Sequence, residues 1–172
     1  IRGPFAILNN SVLKMGAKIY GATTIGPFCK VGGEVNNVVF FGYSSKAHDG
    51  FLGNSLIGEW CNIGADTNVS NLKNNYADVR LWNYEIEKFK NTNLQFCGLI
   101  MGDYSKCGIN TMFNTGSVVG VSANIQNFPE TFVATPSIAT IEINGIKIIV
   151  ILESVVICFM TSSLLKNPGA KK

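Results

Sequence analysis

Aliphatic side chains recur at every sixth residue over long stretches of this chain. Ile7, Leu13, Ile19, Ile25 and Val31 follow one another at that spacing without a break. The spacing returns at Ile57 and Ile63, and again at Met101, Cys107, Phe113, Val119 and Ile125. Four residues after each but the last comes a small or β-branched side chain: Ser11, Ala17, Thr23, Cys29 and Val35, then Cys61 and Thr67, then Ser105, Thr111, Ser117 and Ala123. Six is neither the 3.6-residue period of a helix nor the two-residue period of a strand, and a fixed repeat of this kind is the mark of a solenoid.

The repeat dictates a geometry. Three short strands per turn build a triangular prism whose coils take about eighteen residues each and stack at roughly 4.8 Å. The aliphatic side chain points into the narrow interior. The residue four further on also faces inward, near a corner, where a small side chain fits. Glycine often follows the aliphatic residue, as at Gly58 and Gly64, and is read here as tolerating backbone angles that other residues resist. The fold class is therefore all-β, a parallel hexapeptide-repeat solenoid with inward-facing aliphatics.

Two stretches break the rhythm. Between Val35 and Leu52 it slips and recovers. From about residue 71 to 95 it is lost in a polar segment holding Trp82 and Tyr84, read as a loop protruding from one corner. These two aromatics are expected to pack on the prism or a neighbouring subunit, with covering a sugar ring as the alternative. The domain boundaries follow: a solenoid over 1–127 and a C-terminal segment over 128–172. In that segment, strands around Asn144-Gly145 form a hairpin, a further strand follows, and the whole serves as a cap on the last coil.

Composition narrows the class. At 172 residues, 47% apolar and 15% charged, the chain can bury one core. The 14 Lys and Arg are scattered, so no nucleic-acid stripe is present, while the net charge of +3 suits a small anionic ligand such as a sugar phosphate or coenzyme A. Five cysteines without a CxxC pair, beside one histidine, read as buried free thiols of a reducing cytosol and speak against a metal site. The chain opens IRGPF, without Met or a signal-type run, and reads as a soluble, cytoplasmic piece of something longer. Lys147 and Glu153 interrupt the apolar tail, so no membrane span is expected.

The segment SKAHDGFLGNSLIGEWCNIGADTNVSNLKNN, at residues 45–75, resembles one family in particular. It is similar to the acyltransferase half of the bifunctional N-acetylglucosamine-1-phosphate uridylyltransferase and glucosamine-1-phosphate N-acetyltransferase family, and closer still to its sugar-nucleotidyltransferase-like branch. The likeness covers about residues 7–126 and is specific around 44–75 and 97–120. It implies a left-handed parallel β-helix, a homotrimer with sites between subunits, and acetyl-CoA as co-substrate. It further implies that His48 is the general base on the sugar amine, that Asn62 and Asn71 contact the substrate, and that the backbone of Ala65 meets the acyl group.

The chain departs from the family pattern in several places. The family's tyrosine three residues after the histidine is Phe51 here, and the one after the second asparagine is Leu72. Its two phosphate-binding cations fall near Gly32 and Asn36-Asn37, leaving Lys30, Lys46 or Lys73 as substitutes. No Gly-rich nucleotide loop occurs, so a uridylyltransferase half would lie upstream of Ile1. A non-catalytic reading follows, in which the β-helix only trimerises such an upstream domain; an acyltransferase with a hydroxyl acceptor is a third.

His48 carries the chemical case, because an imidazole titrating near neutrality can take a proton from an attacking amine. A corner histidine merely bonded to backbone is the plainer reading. Asparagine ladders and a solvated loop lysine are the plainer readings of Asn62, Asn71 and Lys73.

Overall fold

A computed structural model describes residues 1–125 together with the backbone of 138–143, 146–151 and 156–160. Among these residues all regular structure is β-strand. The strands stack in parallel as a β-solenoid, consistent with a left-handed β-helix.

The first face stacks strands Phe5–Ile7, Thr23–Ile25, Glu34–Gly42, Phe51–Glu59, Ile100–Met101 and Val118–Val119 in that order. The second stacks Val12–Leu13, Lys30–Val31, Ser45–Lys46, Asn62–Ile63, Lys106–Cys107 and Asn124–Ile125. The third is built from Lys18–Tyr20, the first residues of the two nine-residue strands, and the pair Asn68–Val69 with Met112–Phe113. Each nine-residue strand bends at a corner and so serves two faces.

The hexad residues lie inside as the period requires. Ile19, Ile25, Val31, Ile57, Ile63, Met101, Cys107, Phe113 and Val119 are buried, while Ile7 in the first coil is exposed. The small positions from Thr23 onward are buried too, Ser11 and Ala17 of the first coil being half-buried, and their frequent serines have a second task. Ser44 Oγ donates to the Gly58 carbonyl at 2.8 Å and accepts from Cys61 N at 2.8 Å, stitching one coil to the next. Ser11 and Ser105 repeat the arrangement with Gly26/Cys29 and Gly120/Ala123.

The glycines after the aliphatic positions answer to clearance rather than to backbone angle. Gly26, Gly58 and Gly64 are absent from the residues of positive φ. A Cβ on Gly26 would run into the Phe41 carbonyl, one on Gly58 into the Asp103 side chain, and one on Gly64 into the Gly108 backbone of the adjoining coil. The left-handed conformations fall instead on non-glycine residues just before the small inward position, at Phe28, Tyr43, Trp60, Asp66 and Tyr104. Four of these form a ladder along one edge. Phe28, Tyr43, Trp60 and Tyr104 stack with planes within 5° and centroids 5.0, 4.5 and 6.3 Å apart. Stacking of this kind offsets part of the strain of those corners.

Register explains the broken rhythm. Leu13 pairs with Val31 at an offset of 18, but Lys30 pairs with Ser45 at 15, because the coil between is short. Leu56 pairs with Ile100 at an offset of 44, and the surplus leaves at one corner. It contains an antiparallel hairpin, Arg80–Asn83 with Lys88–Asn91. In it Trp82 meets Phe89 edge-on at 5.3 Å, and Tyr84 lines a groove on the first face beside Leu56, Ile100 and Val118. In the C-terminal segment Ile138–Ile143 and Ile146–Ile151 pair antiparallel around Asn144-Gly145, and Val156–Met160 pairs onto the second, giving the strands expected there. The two turn residues, and the rest of the expected cap, lie outside the described residues.

Candidate functional site at a prism corner

His48 stands where the second face turns into the third. Its corner, residues 47–50, is held to the next coil by Asp66 N donating to the Asp49 carbonyl at 3.0 Å. Gly50 adopts φ 109°, and a Cβ there would strike the Thr67 backbone, so the corner closes tightly on its neighbour. The imidazole itself is exposed and, among the described residues, unpaired. Asp49 is exposed as well.

The residues expected to join it separate into three groups. Asn62 lies on the outer surface of the second face, exposed, beside Ser45 in one coil and Lys106 in the other. Ala65 occupies the corner directly after it, with its carbonyl accepting from Asn110 N at 2.8 Å. These two border the His48 corner.

Asn71 and Lys73 belong to the opposite end of the third face. Asn71 Nδ2 donates to Asn54 Oδ1 at 2.7 Å, a rung of the asparagine ladder that is its plainer reading. Lys73 Nζ donates to the Asp78 carbonyl at 2.7 Å. Within one chain the corners are successive, and the third face separates them.

Lys46, named above as a substitute for the missing phosphate contacts, lies inside the prism. It fills an inward slot in register with Val31 and is 1% exposed. Its ammonium donates to the carbonyls of His48 at 2.8 Å, Gly32 at 3.3 Å and Asp49 at 3.4 Å. Burial pushes it down to about 8, against Asp49, Cys107 and Asp66, which act to raise it. Between about 8 and the ordinary 10.5, the unfolded chain therefore binds the extra proton, and stability rises with pH across that window. In denaturant unfolding, the wild type is expected to gain stability over Lys46→Met as pH rises through it; a difference that stays flat would contradict the assignment.

The thiols follow the same logic in the opposite direction. Burial pushes Cys29, Cys61 and Cys97 up, which keeps them neutral and makes them poor nucleophiles. Sequence reasoning missed the edge ladder, the interior place of Lys46 and the position of Lys106 beside Asn62. Only Lys46 left a usable signal, standing six residues from both Phe40 and Leu52.

Fold and corner together define a hexapeptide-repeat solenoid with one exposed imidazole. No family profile matches the chain. It is 32% identical over 87 residues to the bifunctional protein GlmU of Methanocaldococcus jannaschii, a match covering 51% of this chain and 21% of that protein. It is 32% identical over 87 residues to the bifunctional protein GlmU of Methanococcus aeolicus, covering 51% and 20%. The chain thus spans about a fifth of the length of the curated relatives it matches. These matches and the parallel solenoid fit the C-terminal hexapeptide-repeat domain of the bifunctional family that the residues around His48 resemble. No helix among the described residues is long and apolar enough to cross a membrane.

Proposed function

We propose that this chain transfers an acetyl group from acetyl-CoA to the amine of an amino-sugar phosphate of the glucosamine-1-phosphate kind. The amine attacks the thioester carbonyl, His48 takes the proton from nitrogen, and coenzyme A leaves as the thiol. The observation that carries this reading is the chain's one imidazole, exposed and unpaired among the described residues at the corner that Asn62 and Ala65 border.

Asn62 holds the sugar and the Ala65 backbone adjoins the acyl group. Lys46 and Lys73 already spend their ammonium groups on carbonyls, so the phosphate falls to Lys106, exposed and in register beside Asn62. Asn71 and Lys73 reach the site only from a second subunit, which a homotrimer with sites between subunits supplies. The reaction belongs to the cytoplasm, where buried free thiols stay reduced.

The test is thiol release from acetyl-CoA with glucosamine 1-phosphate, run beside light scattering at micromolar concentration. Turnover by a trimer is expected; a protein that acetylates no amino sugar would end the proposal. Gly32 and Asn36-Asn37, where the family carries phosphate-binding cations, favour a second reading as a non-catalytic trimerising β-helix. A trimer without turnover is its signature, and a monomer would defeat both.

A further inference from the structure

We infer that Lys46 is a positioning residue for His48, its buried ammonium tying together the carbonyls that fix the corner from which the imidazole projects. The inference deepens the proposed function and rests on it for its catalytic consequence.

The neighbouring inward slots hold Val31 below and Ile63 above, so an aliphatic residue at position 46 would continue the core. A lysine there gives up hydration that only good acceptors can replace. It finds three, and two of them, His48 and Asp49, belong to the corner itself. The third, Gly32, lies in the coil below. The Asp49 carbonyl is also tied upward by Asp66 N. Among the described residues, the His48 carbonyl has Lys46 as its hydrogen-bond donor.

Coil length shows why this corner needs such a tie. Lys46 and Leu52 are six residues apart, as are Ile63 and Val69. Their partners below, Val31 and Val35, are four apart. The His48 corner therefore overhangs a shorter one, and no matching turn lies beneath it. Gly33 leaves the space open, since a Cβ on it would come within 2.9 Å of Lys46 Nζ and 2.7 Å of the His48 carbonyl oxygen. The groups facing the ammonium are Asp49 on its own corner, Asp66 on the corner above and Cys107 in the same inward column. The lysine thus fills a gap with a donor pointed at the backbone of the proposed base.

The chain has one histidine, so a single imidazole resonance reports on the corner. Lys46→Met keeps an unbranched chain one atom shorter and removes the donors. In the folded variant, this resonance is expected to broaden or split, and kcat for acetyl transfer to fall by about 10- to 100-fold with KM for acetyl-CoA unchanged. A sharp, unmoved resonance overturns the inference, as does a perturbed ring with unchanged kcat. His48→Ala separates the two levels. If it retains full turnover, the general-base reading fails whatever Lys46 does. If it is inactive while Lys46→Met is not, only the positioning role fails. Should Lys46→Met not fold, the wild-type resonance followed from pH 7 to 10 decides. An inflection in that resonance near pH 8, as Lys46 gives up its proton and its hold on the His48 and Asp49 carbonyls changes, is expected, and its absence overturns the inference.

Discussion

His48→Ala is expected to lower turnover on an amino-sugar phosphate by about 10²- to 10⁴-fold, the usual contribution of a positioned general base. The protein should remain folded. The imidazole is exposed and unpaired among the described residues, and truncating such a side chain changes stability by about 0.5 kcal/mol or less. Loss of rate with an unchanged melting curve is therefore the expected pair of results. Turnover at the wild-type level would remove the base from the mechanism, and loss of both rate and structure would recast His48 as part of the frame.

Gly64→Ala has the opposite profile. The new Cβ would run into the Gly108 backbone and lie 2.6 Å from the Ile109 nitrogen, so the coils must part or the strand must twist. Backbone gives way less readily than a flexible side chain, and overpacking of this kind costs about 3 kcal/mol. Gly16 is the contrast. It has φ 77° and nothing within 4 Å of a built Cβ, so only the left-handed angle matters there. Gly16→Asn, whose side chain accepts that angle, should be close to neutral. Melting temperatures of the two variants test the distinction, and equal losses would return both glycines to a purely conformational role.

The six-residue period revealed the prism because inward burial repeats with the chain whatever leaves at the corners. Ile25, Ile57 and Met101 serve the same face although the coils between them differ in length. The edge ladder stayed hidden for that very reason. Phe28, Tyr43, Trp60 and Tyr104 are spaced unevenly in sequence and align only once short and long coils have been stacked. The interior place of Lys46 escaped notice because a lysine in an aliphatic slot looks like an interruption of the pattern, and what it bonds depends on the missing turn one coil away. The gathering of Asn62 and Ala65 near His48 was legible through the resemblance. The distance of Asn71 and Lys73 was not, since neighbours in sequence that straddle a face look adjacent until the corner is drawn.

The long excursion between Val69 and Cys97 has a consequence for how such a protein can change. The chain leaves the stack and returns with Asn62 opposite Lys106 and Val69 opposite Phe113, as though nothing had intervened. An outgrowth tethered this way leaves the register of its support unchanged. It can be lengthened, shortened or exchanged for another, giving natural variation a place to alter what the molecule touches while the scaffold keeps its dimensions.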